Sequence, residues 1–321
     1  MVSKVDNPRY GIGSSPIWEL CQSGNLPRSP LRGVKADWSS VSFASVSQIA
    51  ALAAIHLCGR LHGENQIISG ASPTIRGYLK RIDYFKMAGI EEADGFQRHD
   101  PADRFVQLSE IETNEDEADP NGISTRVRRV ITRRAAMSRS VEGQLDLAFG
   151  EIVDNVVQHS KSPSPGIACA QYYQKDGYVE VCVADCGRGI ASSMAENPAY
   201  AELGTGTLLS MAFEENTGEW YGRSSVGTNQ VSGGKGLSFS SRLVRATGGH
   251  IWAVSHGDAL HISSDTTESV DGLWYPGTLL VMRVPETSRE VLESDLVPGG
   301  RDEPALWDQV EGSYVDSDLL W

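Results

Sequence analysis

An acidic side chain and an amide side chain share one face of a predicted helix. The segment GEIVDNVVQHS places Glu151 four positions before Asn155, which puts both polar groups on the same side of a helix. Apolar residues fill the rest of this helix: Leu145, Leu147, Ala148, Ile152, Val153, Val156 and Val157. Because unpaired buried polar groups are costly, this pattern indicates a bound partner for the carboxylate and the amide. A magnesium ion with its waters and a nucleotide would be such a partner.

A second polar pattern follows an apolar strand. The segment VEVCVADCGRGI ends in Asp185, Gly187 and Gly189, in the order Asp-x-Gly-x-Gly. The aspartate is expected to face a pocket, and the glycines allow close approach of the backbone to a ligand.

Together the two segments resemble the N box and the first glycine box of the GHKL ATPases, which include gyrase, heat-shock chaperones, histidine kinases, MutL and anti-sigma kinases. Two further segments add to the resemblance. GGKGLSFSSRLVRATGGHIWAVS, from Gly233, is similar to the second glycine box with a helix and a strand behind it. PGTLLVMRVP, from Pro276, is similar to the final strand of that fold, with Thr278 near its start. All four segments occur in the family's order.

The resemblance implies a Mg-ATP site with a role for each matching residue. Asn155 would be the protein ligand of Mg²⁺, and Glu151 would act as general base toward water or a protein hydroxyl. Asp185 would accept a hydrogen bond from the adenine amino group, and Thr278 would add a hydroxyl nearby. The glycines would admit the base, the ribose and the phosphates, with Lys235 on the β- or γ-phosphate: Gly187, Gly189, Gly233, Gly234 and Gly236.

Each of the other polar residues near the proposed site allows two interpretations. The segment from about 190 to 235 resembles an ATP lid, with a short helix in TLLSMAFEEN. Within it Arg223 could reach the γ-phosphate or lie on the surface. His159 shares the face of Asn155 and could contact phosphate or simply pack. Lys235 could likewise be a surface lysine of the lid.

The N-terminal part resembles a STAS domain, the fold of anti-sigma-factor antagonists. The pattern predicts a strand in WSSVSFAS, a helix in VSQIAALAAIHLCGRLHG and a strand in QIISG. A second helix, TIRGYLKRIDYFKMAGI, follows with Ser72 as N-cap and Pro73 at its first position. The position of the phosphorylated serine in STAS switches is Val46 here, which has no hydroxyl. Ser45 or Ser47 could replace it, but hydroxyls that cap the helix are the favoured interpretation.

The predicted fold class is α/β, more exactly an α+β sandwich. An N-terminal extension (1–36) precedes the STAS-like unit (37–118), whose last predicted strand is FVQLSEI. The GHKL, or Bergerat, ATP-binding sandwich spans 119–285, with an antiparallel or mixed sheet covered by helices on one face. An acidic tail (286–321) ends the chain.

Composition limits the classes of partner. The 321 residues carry a formal net charge of -14, which argues against binding to nucleic acid or an anionic membrane. Six arginines between Arg126 and Arg139 are interpreted as a solvated helix face, with a partner-docking surface or a nucleic-acid-binding surface as the alternatives. No apolar run reaches the roughly 18 to 20 residues that span a bilayer, and the start lacks a signal-peptide core. We therefore expect a cytoplasmic protein whose five cysteines are reduced.

Two functional hypotheses follow. The first is an enzyme that hydrolyses ATP or transfers its γ-phosphate to a serine or threonine of a protein partner. The second is a nucleotide-gated binding module that sequesters a regulator such as a sigma factor or a STAS protein. No His-Glu-x-x-x-Pro-Leu pattern precedes the N box, which argues against a sensor histidine kinase. A homodimer is implied by the family likeness alone.

Overall fold

The computed structural model describes residues 2–4, 13–15, 17–22, 24–32, 34–92, 105–113, 122–123, 125–127, 130, 135–214, 236–287 and 290–291. Four residues of the arginine-rich segment lie outside this range: Arg128, Arg129, Arg133 and Arg134. The tail from 292 to 321 lies outside it as well.

The described residues of the N-terminal segment form a small parallel sheet and four helices. The strands are β1 (Val2–Lys4), β2 (Lys35–Asp37) and β3 (Ile67–Ser69), in the order β1-β2-β3. The helices are α1 (Trp18–Cys21), α2 (Val46–Leu61), α3 (Pro73–Arg81) and α4 (Tyr84–Met87). We call these elements the N-terminal layer.

Of the four elements predicted here, the two helices and the strand in QIISG are present. The predicted strand in WSSVSFAS is wrong, because the strand ends at Asp37 and residues 38–45 are turn and coil. The second helix begins as predicted, with the Ser72 hydroxyl accepting from the backbone N–H of Ile75 at 3.3 Å. It is interrupted after Arg81, because Asp83 adopts a left-handed conformation (φ 67°) that does not continue a helix.

The C-terminal part is built on a seven-stranded sheet, here the large sheet. Its order is β4-β5-β6-β10-β7-β8-β9, with antiparallel pairing between neighbours. The strands are β4 (Phe105–Ile111), β5 (Gly166–Tyr173), β6 (Tyr178–Asp185), β7 (His250–His256), β8 (Asp258–Ile262), β9 (Thr267–Ser269) and β10 (Tyr275–Pro285). Strand β4, which the sequence analysis placed in the STAS-like unit, pairs with β5 of this sheet.

In the described part of the chain, helices α5 (Arg139–His159), α6 (Ile190–Met194), α7 (Thr205–Met211) and α8 (Gly236–Thr247) accompany the large sheet. Residues 122–123, 125–127 and 130 are helical as well. Alternating side chains assign the two faces of each strand. On β6, Val181 and Val183 join the core under α5 and α8, whereas Cys182 and Ala184 join the core under the N-terminal layer. Both faces of the sheet are therefore buried.

Helix α2 lies on the face opposite α5 and α8. All its residues from Val46 to Gly59 are buried, and the helix contacts β5, β6 and β10. A helix that is apolar on all sides is stable only when it is surrounded. The predicted sandwich, with helices on one face, thus has a second helical layer that comes from the N-terminal segment.

A buried ion pair fixes the start of α2 to the large sheet. Glu180 Oε2 accepts from Arg283 Nε at 2.7 Å, and Glu180 Oε1 accepts from the Ser47 hydroxyl at 2.8 Å. Ser45 is the N-cap and accepts from the backbone N–H of Gln48 at 3.2 Å. Both serines are buried in these contacts, which agrees with their interpretation as structural hydroxyls.

We expect the stability of the protein to fall in mild acid because of His56. This side chain of α2 is fully buried, and neither ring nitrogen has a hydrogen-bond partner among the described residues. Burial lowers the pKa of His56 to about 4. The unfolded chain binds the proton below about pH 6.5, so up to about 3 kcal/mol of stability is lost between there and pH 4. Urea unfolding at several pH values measures this loss.

Two variants separate His56 from the other histidines. His56→Phe should flatten the pH dependence of the unfolding free energy, whereas replacing the exposed His62 with Ala should leave it as in the wild type. Equal pH dependence in His56→Phe and wild type would contradict the assignment.

None of the helices in the described ranges has the length and apolar character of a bilayer-spanning helix.

Candidate nucleotide-binding site

Helix α5 carries the first two candidate residues. Ser138 caps the helix by accepting from the backbone N–H of Val141 at 3.3 Å. The apolar face of the helix packs into the core, and Glu151 and Asn155 lie at its half-buried margin. Neither side chain has a hydrogen-bond partner in the described part of the chain, so the carboxylate and the amide remain available to a ligand.

The start of α8 lies against Glu151. A Cβ atom at Gly236 would be 2.7 Å from Glu151 Oε2 and 2.8 Å from Glu151 Cβ. Only glycine permits this contact without displacement, which brings a helix N-terminus beside the carboxylate. Backbone N–H groups at a helix N-terminus favour anions such as phosphate.

Burial raises the pKa of Glu151, and the charge of Asp154 raises it further. A carboxylate with a raised pKa is a stronger proton acceptor, as a general base near neutral pH needs to be. Asp154 is subject to the same effect, because burial raises its own pKa.

Asp185 ends β6 and lies directly opposite Thr278 of β10. Only 3% of Asp185 is exposed, and its Oδ1 accepts from the backbone N–H of Gly187 at 2.7 Å. Thr278 lowers the pKa of this carboxyl, against the effect of its burial. A carboxylate has about four acceptor positions, so capacity remains for a further donor.

The two glycines of the loop after Asp185 are required by the protein's own packing. A Cβ atom at Gly187 would lie 2.1 Å from the carbonyl oxygen of Ser160. Gly189 has φ +79°, and a Cβ there would lie 2.7 Å from Ser255 Oγ. The sequence analysis expected these glycines to leave room for a base and a ribose, and that role stays a prediction.

Arg188 is a positioning residue that the sequence analysis missed. Its Nε donates to the carbonyl of His159 at 2.8 Å, and its backbone N–H donates to the carbonyl of Ser160 at 2.9 Å. These bonds tie the C-terminal end of α5 to the loop after β6. The only sequence signal was its place between the two glycines.

The structure thus places Gly236 against Glu151, and it places Asp185 beside Gly187 and Thr278. The bonds of Arg188 connect the helix of the first pair to the loop of the second group. Three predicted site residues, Gly233, Gly234 and Lys235, lie outside the described residues. Arg223 and most of the predicted lid also lie outside them. The short helix predicted in TLLSMAFEEN is confirmed as α7, while its role in a lid stays a prediction.

Comparison with protein families decides the type of this domain. Residues 140–288 match the family described as histidine kinase-, DNA gyrase B- and HSP90-like ATPase. This segment is a GHKL-type ATPase domain. Comparison with curated proteins found no significant match.

The match to the GHKL family covers every described candidate residue, from Glu151 to Thr278. It begins at residue 140, within α5, and therefore says nothing about the N-terminal layer. The resemblance of that layer to a STAS domain remains a prediction.

The residues of the GHKL domain fit a magnesium nucleotide. Magnesium keeps several waters and takes few protein oxygen ligands, which a single amide such as Asn155 can satisfy alongside phosphate oxygens. Among the described residues, no group of three or more His, Cys, Asp or Glu forms a protein cage for a metal.

Proposed function

We propose that the chain binds Mg-ATP between α5, the start of α8 and the loop after β6, and that it acts as a regulatory switch. The observation that carries the proposal is the close contact between Gly236 and the Glu151 side chain. This contact places a carboxylate beside a helix N-terminus within a GHKL domain. The bound nucleotide would supply a transferable γ-phosphoryl group.

Each candidate site residue has one role in this proposal. Asn155 holds Mg²⁺ through its amide oxygen, and the backbone around Gly236 receives phosphate oxygens. Asp185 and Thr278 orient the adenine. Glu151 accepts the proton of the attacking hydroxyl, which belongs either to water or to a protein side chain.

The proposed partner is a regulatory protein of the sigma-factor or STAS type, met by the N-terminal layer. The support is the STAS resemblance together with the net charge of -14, which disfavours nucleic acid. A cytoplasmic location and a homodimer belong to the same proposal.

Incubation of the protein with γ-labelled ATP and Mg²⁺ tests the hypothesis that it is an enzyme. Release of labelled phosphate would establish an ATPase, and label on protein would establish a kinase. Asn155→Ala should abolish both, while Glu142→Ala on the same helix should change neither. ATP binding without phosphate release or protein labelling would contradict the enzyme hypothesis and support the nucleotide-gated binding module. Absence of ATP binding would refute the proposed function.

We expect nucleotide affinity to fall as the pH is lowered through about 6. Burial raises the pKa of Asp185 to about 6, although hydrogen bonds from Gly187 and Thr278 oppose the shift. The ionised carboxylate accepts a hydrogen bond from an amino group more strongly than the protonated form does. The loss between about pH 7 and pH 5 should be about five- to tenfold in Kd.

Equilibrium binding of a fluorescent ATP analogue at each pH measures this effect. Asp185→Asn should bind weakly with a flatter pH profile. A wild-type affinity that stays constant from neutral pH to below the pKa of Asp185 would contradict the role of its carboxylate.

A further inference from the structure

A cavity of about 560 Å³ lies beside α8, between the C-terminal end of α7 and the strands β8 and β9. Helix α8 lines it with four residues: Ser238, Ser241, Arg242 and Arg245. At about 3.6 residues per turn, these positions lie on the side of α8 that is roughly opposite Gly236, the residue in contact with Glu151. The width of a helix, about 10 Å, therefore separates this cavity from the candidate nucleotide site. Its volume is within the range of roughly 300–1,000 Å³ that is usual for small-molecule sites.

The base of the cavity is apolar and belongs to the core of the GHKL domain. Phe213 is 5% exposed and Ile262 is 1% exposed, and both pack in the core under α5 and α8. The Ser241 hydroxyl donates to the carbonyl oxygen of Phe213 at 3.1 Å, which ties the chain after α7 to α8. The base is thus held in place by the fold and offers apolar surface to a ligand.

Hydrogen-bond donors form one wall and part of the rim. Arg242 is half-buried and Arg245, one turn later on α8, is exposed. Arg245 donates to the carbonyl oxygen of Ser263 at 3.3 Å and to the hydroxyl oxygen of Thr267. Because a guanidinium has five N–H groups, these two bonds leave Arg245 with donors for a ligand. Thr267 accepts from Arg245 and can donate its own hydroxyl hydrogen.

The charge of the lining favours an anion. The described lining residues carry two positive groups, Arg242 and Arg245, and one negative group, the exposed Glu214, in a chain whose net charge is -14. Burial lowers the pKa of Arg242, because desolvation disfavours the charged guanidinium. A bound anion would offset that cost.

We propose that this cavity is a second ligand site, which binds the phosphate group of a small phosphomonoester. Arginine pairs suit phosphate because a guanidinium can donate two parallel N–H bonds to its oxygens. The tetrahedral phosphate presents acceptors in several directions, toward Arg242 and Arg245 on α8 and toward Thr267 on β9. A phosphate group fills only part of the volume, so the organic part of the ligand packs on Phe213 and Ile262. The site does not depend on the proposed Mg-ATP function.

Isothermal titration calorimetry of the full-length chain with glycerol 3-phosphate tests the site, with and without a saturating non-hydrolysable ATP analogue and Mg²⁺. The wild type should bind one equivalent in both conditions. Arg242→Gln and Arg245→Gln should each weaken binding by at least about tenfold, as expected when a hydrogen bond from a charged group is lost. Glu214→Gln should strengthen binding a few-fold, because it removes the negative charge at the rim.

Arg139→Gln is the control, because it removes an exposed arginine of α5 that is not part of the cavity. It should bind the phosphomonoester as the wild type does. Arg245 is exposed, so its replacement leaves the core intact, and Arg242→Lys keeps a positive charge in the cavity where Arg242→Gln unfolds the protein. Arg242→Lys should bind more tightly than Arg242→Gln and more weakly than the wild type.

Four results would overturn the proposal. These are no binding of glycerol 3-phosphate, equal binding by wild type and Arg245→Gln, tighter binding of the dicarboxylate succinate, and displacement of glycerol 3-phosphate by the ATP analogue. The last result would place the phosphate in the nucleotide site. Protein that binds glycerol 3-phosphate but not the ATP analogue would refute the Mg-ATP function and leave the second site standing.

Discussion

Replacing Glu151 with glutamine should lower the rate of γ-phosphate release or transfer by about 10²- to 10⁴-fold, the usual contribution of a general base. Glutamine keeps the size of the side chain and the packing against Gly236 but cannot accept the proton. Because the carboxylate has no hydrogen-bond partner among the described residues, its loss leaves none of their polar groups unpaired. ATP affinity should therefore change by only a few-fold.

Single-turnover assays with γ-labelled ATP separate the chemical step from binding. Glu142→Gln is the control, since it removes a charge from the first turn of the same helix, more than two turns before Glu151. Equal rates in Glu151→Gln and wild type would assign the general base to another group. A large loss of affinity with an unchanged rate at saturation would make Glu151 a binding residue.

Replacing Glu180 with glutamine should destabilise the protein by about 3–5 kcal/mol, as expected when one partner of a buried ion pair is lost. Glu180 is 0% exposed and Arg283 is 1% exposed. The change leaves the Arg283 guanidinium without its carboxylate in a site where water cannot solvate it. It also removes the charged acceptor from Ser47 at the start of α2, where the helix dipole favours a negative group.

Urea unfolding followed by circular dichroism measures the loss. Glu202→Gln, at an exposed position, should change the unfolding free energy by less than about 0.5 kcal/mol. The double variant Glu180→Leu, Arg283→Leu should be more stable than Glu180→Gln, because it buries no unpaired charge. Destabilisation of the double variant by the sum of its two single changes would show that the pair is not coupled.

The same contacts predict how the N-terminal layer unfolds. Helix α2 is enclosed by the large sheet, and its first turn is bonded to Glu180 and Tyr173. We therefore expect the layer and the GHKL domain to unfold in one transition in these experiments.

Local patterns in the sequence determined the elements that carry the candidate site. The four-residue spacing of Glu151 and Asn155 predicts that both side chains lie on one face of a helix, and α5 is that helix. The apolar run before Asp185 required a buried strand, and the run after Pro276 required another, as β6 and β10 show. Such features depend on residues close in the chain, so periodicity and turn residues are enough to predict them.

Only the tertiary structure decided what these elements face. The sequence did not indicate that α2 covers the second face of the large sheet, or that β4 is an edge strand of that sheet. It also did not indicate that Glu180 pairs with Arg283. These contacts join residues more than 50 positions apart, and such long-range pairings depend on how complete layers pack. The sequence by itself determined the chemistry available to this protein, and the packing of its layers decided which groups meet.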